Sequence, residues 1–171
     1  IARALVTRST QLIGVVSPGE ARFGPSSMTV ALEEAARLRR YATVLTVVRE
    51  PSGVDEAVEH FLTLGVDGIV VVAPTQPVLA AAIELAERLP VVAVASDVTA
   101  PGITVVGVDQ AAGARLATEQ LIGAGYTRIA HVTGPLDWFD ARARMAGWRA
   151  ALASAGLPVP ELAVGGWDAA D

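Results

Sequence analysis

The chain is predicted to fold as an α/β protein around a doubly wound parallel sheet, on three observations. Short runs rich in β-branched residues recur along it, the runs are continuously apolar with no alternation, and helical patterns lie between them. Continuous apolarity marks strands covered on both faces, which a parallel sheet flanked by helices requires. With 52% hydrophobic but only 5% aromatic residues, the core is read as Ala- and Val-rich helices packed on short strands.

The elements follow in order. Leu12 to Ser17 is the first strand, and Ser26 to Arg40 the first helix, with Met28, Leu32, Ala35 and Ala36 on one face. Thr43 to Val48 is the second strand. Ser52 and Asp55 form a capping-box pattern ahead of the helix Val54 to Leu64, which Gly65 ends as a C′ glycine. Gly68 to Val72 is a strand, and Thr75 before Pro77 opens the helix Val78 to Leu89. The strand Val91 to Ala95 follows; then Asp109 caps the helix Gln110 to Ala124, closed by Gly125. Ile129 to Val132 is a strand, Ala141 to Ala155 a helix ending before Gly156 and Pro158, and Leu162 to Trp167 a last strand-like run. Such βα units imply right-handed crossovers, and ligands in such sheets bind beyond the carboxyl ends of the strands. That rule selects four loops: Ser17 to Pro25, Ala73 to Gln76, Ser96 to Gly102 and Gly134 to Asp140. A strand without a following helix leaves an unpaired edge, so the chain is expected to be a fragment of a longer polypeptide.

Composition narrows the function. The 171 residues contain no cysteine, which excludes a disulfide scaffold, a zinc–cysteine site and a thiol nucleophile. Formal net charge is −5 and the acidic residues are scattered, so this stretch lacks the basic face of a phosphate-binding surface and alone should bind DNA poorly; all 13 basic residues are arginine, and no prediction rests on that. The longest apolar runs are too short to span a bilayer, and Ile1 to Val16 is too polar for a secretory signal. The first βα turn, Ser17 to Gly24, has two glycines at the wrong spacing for a dinucleotide fingerprint and no P-loop lysine. His60 and His131 stand without a nucleophile elbow or a second histidine at metal-ligand spacing, and both are read as structural. No cofactor, no metal and no enzymatic activity is expected. Among paired carboxylates, Glu33 with Glu34 and Asp55 with Glu56 read as solvated helix faces. Asp137 and Asp140 instead flank two aromatics in a ligand-facing loop.

Three runs carry a resemblance: ARALVTRSTQLIGVV (Ala2 to Val16), VDGIVVVAP (Val66 to Pro74) and GVDQAAGARLATEQLIGAGYTRIAHVTGPLDWFDARARMAGWRAALASAGLP (Gly107 to Pro158). In this order and spacing the chain resembles the LacI/GalR family of bacterial transcription regulators over essentially its whole length. The resemblance implies a periplasmic-binding-protein-like, two-lobed effector domain, of which the first lobe and the start of the second are present. The expected divisions are 1–11 as hinge-helix end and linker, 12–134 as the N-terminal lobe and 135–171 as the start of the C-terminal lobe. Ala2 to Leu5 resembles the end of the family's hinge helix. Leu5 would be the wedge inserted into the DNA minor groove, with Ala2 beside it.

The resemblance and the strand-end rule select the same loops for the effector. Pro18, Arg22, Phe23 and Pro25 come from the first loop, where the family commonly carries an Asn-Pro-Phe-Phe-like stretch, and Met28 from the helix after it. Arg144, second arginine of A-R-x-R, matches the position that bonds ligand hydroxyls or carboxylates, and its forked donors suit that task; the alternative is an ion pair with Asp140 four residues earlier. Trp138 and Phe139 are stacking platforms for a sugar ring or else core residues, and Trp167 falls where some sugar-responsive relatives place a tryptophan beside the inducer. Trp148 reads as core. Asp97 stands about two residues from the family's usual acid, and Asp109, in an Asp-Gln that replaces the familiar Asp-Asn, is either a ligand contact or a helix cap.

These expectations add up to the effector-sensing domain of a cytoplasmic repressor that binds a small molecule, a sugar, between its lobes. It would dimerise through the helix Ser26 to Arg40 and the strand Thr43 to Val48, and it would reach operator DNA through a head-piece that is absent here, with no membrane partner. The alternative is an extracellular sugar-binding protein of a transporter, which shares the fold. The A-R-x-L segment ahead of the first strand and GYTRIAHVTGP stand closer to the regulators.

Overall fold

The computed structural model describes residues 9–19, 23–49 and 53–167. They pack as two units: the first takes residues up to Ala73, Pro77–Val94 and Ala100–Val106, the second Pro74–Gln76, Ala95–Thr99 and the chain from Gly107 on. Residues 107–134, expected in the first lobe, therefore pack with the second unit. The physical reason is a helix pair described below.

The first unit alternates β1 (Leu12–Pro18), α1 (Phe23–Leu38), β2 (Ala42–Val48), α2 (Gly53–Leu64), β3 (Gly68–Val72), α3 (Gln76–Leu85), β4 (Val91–Val94) and β5 (Thr104–Val106). Its sheet is five-stranded in the order β2-β1-β3-β4-β5. All its pairings are parallel, and Val15 on β1 stands between Leu45 on β2 and Val70 on β3. The doubly wound expectation holds. Val15 and Val16 on β1 and Val71 on β3 are fully buried, as strands covered from both sides should be. A Cβ at Gly14 would stand 2.7 Å from the Phe61 ring, so this glycine makes room for the largest side chain of α2.

Where elements differ from expectation, local chemistry explains it. α1 begins at Phe23, so Phe23 and Pro25, expected in a loop, belong to its first turn, where proline's fixed φ and missing N–H cost nothing. α3 ends at Leu85 and tightens into i→i−3 bonds from Ala86, Glu87 and Arg88, because the approach to Pro90 disfavours helical backbone. β5 was not expected. Its β-branched run after Gly102 is only three residues long and gains its ladder from β4.

The chain enters the first unit through a carboxylate clamp. Asp67 accepts hydrogen bonds from the Ser9 hydroxyl, from the Thr10 backbone at 2.9 Å and from the Gln11 backbone at 3.0 Å. The Thr10 hydroxyl also reaches Asp67 at 3.1 Å. Partial burial raises the Asp67 pKa, but these bonds outweigh it and hold the carboxyl below its ordinary value. The clamp keeps Gln11 at a φ of 57° as it leads into β1.

The second unit contains α4 (Gln110–Gly123), β6 (Val132–Thr133), α5 (Phe139–Ser154) and β7 (Ala163–Val164). α4 and α5 approach until backbone meets backbone: a Cβ at Gly147 would lie 2.1 Å from the Ala111 carbonyl oxygen. This contact draws residues 107–134 into the second unit. Ile129, Trp148 and Leu152 form its core, with Ile122, Met145, Leu157 and Leu162 packed around them. Trp148 is 2% exposed and its indole N–H donates to the Ile129 carbonyl at 3.1 Å, so the core reading of Trp148 holds. Of the expected strand 129–132 only Val132 is in β6, which runs on to Thr133, and the expected run 162–167 shortens to Ala163–Val164, because the ladder closes only over Val132↔Ala163 and Thr133↔Val164. No helix among the described residues is long and apolar enough to cross a membrane.

Candidate functional site

The site is built where α4 and α5 begin. Trp138 precedes α5 in extended conformation, its N–H bonded to the Pro135 carbonyl at 3.1 Å and its backbone bridged to Thr75. The next N–H, from Phe139, bonds the Pro74 carbonyl at 2.9 Å, so the start of α5 is pinned by main-chain contacts. Asp140 and Arg144 are one turn apart and therefore share a face. α4 is fixed by its own cap: the Asp109 carboxylate accepts from the Ala112 N–H at 2.7 Å, which leaves Gln110 as the first helical residue.

The two helix starts meet through three polar side chains. Arg144 Nη1 donates to Gln110 Oε1 at 2.9 Å, and Gln110 Nε2 donates to Asp140 Oδ2 at 3.1 Å. Arg144 Nη1 and Asp140 Oδ2 are 4.0 Å apart, with side chains 33% and 35% exposed. The amide is oriented so that its oxygen meets the cation and its nitrogen the anion, the one arrangement that satisfies both. Arg144 also lies over the Trp167 ring, 5.3 Å from its centroid, and Trp138 meets Trp167 edge-on at 5.4 Å. A Cβ at Gly134 would stand 2.4 Å from the Trp167 ring, so a glycine is what lets the indole lie there.

His131 lies behind this cluster, stacked on Trp148 at 5.4 Å. Its Nε2 is buried with no hydrogen-bond partner among the described residues. Burial, and then the nearby Arg144 charge, lower its pKa below the ordinary 6.5, so the ring is neutral at pH 7. Among the described residues no group of three or more His, Cys, Asp or Glu is placed to hold a metal ion.

Chemically, the cluster presents guanidinium donors beside a carboxylate acceptor, both partly exposed, next to two indoles. That combination suits reversible binding of a hydroxylated ring: hydroxyls both donate and accept, and C–H faces pack on aromatic surface.

Comparison with known proteins agrees with this architecture. A model of the periplasmic binding protein domain matches residues 13–171. The chain belongs to that family. The ribose operon repressor of Escherichia coli (strain K12) is 30% identical over 94% of this domain and 49% of its own length. The lactose operon repressor of the same strain is 31% identical over 86% of the domain and 42% of its own length. A structure of the lac repressor dimer bound to operator and the anti-inducer ONPF superposes with a TM-score of 0.85 at 26% identity, covering 98% of this domain and 59% of that chain. The relatives that the chain matches here are named as operon repressors, and the chain spans about half the length of those curated relatives.

Within this domain, the expected site residues separate by unit. Asp140, Arg144, Trp138 and Trp167 come together in the second unit as described. Pro18 at the end of β1, with Pro25 and Met28 on α1, is half-buried in the first unit. Ala2, Leu5 and Arg22 lie outside the described residues, as does the Phe23 side chain. Phe139 is 4% exposed, so its ring is core and no stacking platform; it is the first residue of α5 and not part of the loop, and Arg142 lies over the ring at 5.0 Å. Asp109 takes the helix-cap alternative. Asp97 is exposed after β4 with a φ of 53° and stands in the second unit. For Arg144, the ion pair with Asp140 is present, loosened to 4.0 Å by the intervening amide. Gln110 was missed as a site residue. The available signal was its place directly after the Asp109 cap, which aims the first side chain of α4 along the helix start.

Proposed function

We propose that this domain is the effector-sensing part of a sugar-responsive transcriptional repressor. The observation that carries the reading is the Arg144–Gln110–Asp140 cluster beside Trp167 and Trp138. It offers polar recognition next to aromatic surface in a chain whose relatives are named as ribose and lactose operon repressors. Effector binding at this cluster biases the protein between a state that holds operator DNA and one that releases it. The cluster binds and does not turn over its ligand, and the protein acts where operator DNA is, in the cytoplasm.

The working unit is a homodimer. α1 and β2 expose Val30, Leu38, Leu45 and Val47, which supports the pairing expected from sequence. The Asp67 clamp supports a mechanical link, because it fastens the segment that follows the expected hinge residues Ala2 and Leu5 to the first unit.

The test is operator binding by the intact protein, titrated with pentoses, hexoses and disaccharides while tryptophan emission is followed. Release of operator by one sugar with a change in emission is the expected result. Tight sugar binding with no DNA affinity at any salt concentration overturns the repressor reading in favour of a transport-binding protein.

A further inference from the structure

We propose that Asp67 is a positioning residue for DNA binding: its carboxylate fixes the point where the chain enters the first unit and so shortens the tether to the DNA-contacting residues ahead of it. The inference rests on the repressor reading and adds to it a residue that touches neither DNA nor effector. The two carboxylate oxygens divide the grip. Oδ1 accepts from the Thr10 backbone at 2.9 Å, and Oδ2 from the Gln11 backbone at 3.0 Å and from the Ser9 hydroxyl. The Thr10 hydroxyl is shared between Oδ1 at 3.1 Å and the Gly65 carbonyl, just past the end of α2, at 2.6 Å.

A carboxylate that takes two consecutive peptide N–H groups, one on each oxygen, fixes both the place and the direction of the segment. Direction is set a second time by Gln11, whose φ of 57° lies in the left-handed region that a residue other than glycine keeps only when its surroundings hold it. The chain therefore turns at the mouth of β1 and does not run straight on from the strand. Asparagine cannot replace the aspartate here. Its amide nitrogen would take the place of one oxygen and face donors, so half of the grip is lost whichever way the amide turns.

The clamp decides how much loose chain separates the first unit from Leu5, the expected DNA-contacting residue. Ser9 follows Leu5 by four residues, so with the clamp closed at most about 14 Å of extended chain lies between them. With the clamp open, the first fixed point is the Gln11–Leu12 peptide, whose carbonyl takes the Ala42 N–H at 2.8 Å. Leu12 follows Leu5 by seven residues, and the tether grows to about 25 Å. The effective concentration of a tethered group falls roughly as the −3/2 power of tether length. Lengthening from four residues to seven thus lowers it about twofold for one protomer and about fivefold for the two tethers of a dimer.

The experiment uses the intact protein and, as probe, a DNA duplex that the wild-type protein selects from a random-sequence pool; affinity for the sugar that releases this duplex is followed by tryptophan emission. Asp67→Asn should bind the duplex about fivefold more weakly, with sugar affinity within about twofold of wild type. Its plot of log affinity against log salt should run parallel to that of wild type, because no phosphate contact is removed. Thr10→Val removes only the hydroxyl arm at an exposed position and should weaken duplex binding less. Added to Asp67→Asn it should cost less than it does in wild type, since both act on one clamp. Circular dichroism at the assay temperature identifies a variant that does not fold, and should Asp67→Asn be one, Thr10→Val carries the test. Wild-type duplex affinity in the folded variant overturns the inference while leaving the repressor reading in place. Duplex and sugar affinity falling together, or a changed salt slope, overturns it too, showing a loosened fold or a lost phosphate contact in place of a lengthened tether. A wild-type protein that selects no duplex, or releases it to no sugar, overturns the repressor reading and the inference with it.

Discussion

Replacing Gly147 by alanine sets two opposite effects against each other, and the structure decides between them. In an exposed helix interior, glycine to alanine stabilises by about 0.5–1 kcal/mol, because the unfolded chain loses freedom. At Gly147 the added Cβ would meet the Ala111 carbonyl oxygen at 2.1 Å and its carbon at 2.9 Å. Both atoms are backbone within α4 and cannot swing aside, so the helices must part by roughly 1 Å to regain ordinary contact. Overpacking of this kind costs about 1–3 kcal/mol. The net expectation for Gly147→Ala is a loss of about 1–2 kcal/mol. Gly113→Ala, on α4 with no atom within 4 Å of the added Cβ, should gain about 0.5 kcal/mol or more. Urea unfolding followed by tryptophan emission measures both, with Trp148 as the reporter buried in the second unit. The displacement also reaches the site. Ala111 adjoins Gln110 and Gly147 lies one turn beyond Arg144, so the 2.9 Å bond between Gln110 and Arg144 lengthens and effector affinity falls about tenfold, the worth of one charge-assisted hydrogen bond. A Gly147→Ala protein as stable as Gly113→Ala would refute the helix contact and the coupling drawn from it.

Two pH-linked predictions accompany it. Asp67 is held below its ordinary pKa by its hydrogen bonds despite burial, so its stabilisation is present above the unfolded value near 3.8 and is lost as pH falls through the lowered one. Asp67→Asn should cost about 1 kcal/mol at pH 7 and should flatten stability against pH in the acid range, read from urea midpoints; parallel wild-type and variant curves would count against the clamp. His131 is lowered by burial and by Arg144, so the unfolded state binds its proton first and stability is complete above the ordinary value of 6.5. As pH falls below 6.5 toward the lowered value, the wild-type melting temperature should drop, and His131→Gln should remove that part of the slope. A variant with the same slope as wild type would show that another group carries it.

The parallel sheet was legible because its strands announce themselves: Gly68 to Val72 is apolar throughout and is a strand over those same residues. The helix ends at Gly65 and Gly125 were legible for a similarly local reason, since both adopt the positive φ that a C′ glycine serves, 66° and 92°. Elements that owe their existence to a partner were not. β5 is three residues long and is a strand only because β4 offers it a ladder, and β6 and β7 are cut to the residues that face each other. The close pairing of α4 with α5 was not legible for the same kind of reason, because the contact of Gly147 with Ala111 leaves no periodic mark in either helix.

The polar cluster shows how a sequence rule can be correct and still incomplete. The spacing of Asp140 and Arg144 posed a choice between an ion pair and a ligand contact. The structure holds the pair at 4.0 Å with both groups about one-third exposed, so the choice is not exclusive. What makes the two roles compatible is Gln110, whose amide spans cation and anion from a different helix. Its reach matters, because backbone contact at Gly147 sets how far apart the two helices stand. An asparagine at that position, one methylene shorter, would have to give up either the bond to Asp140 or the bond to Arg144. The carboxylate and guanidinium would then be free to close on each other, consuming the donors and acceptor that a ligand needs. The length of Gln110 is thus what keeps the Asp140 carboxylate and the Arg144 guanidinium 4.0 Å apart with bonding capacity left on both.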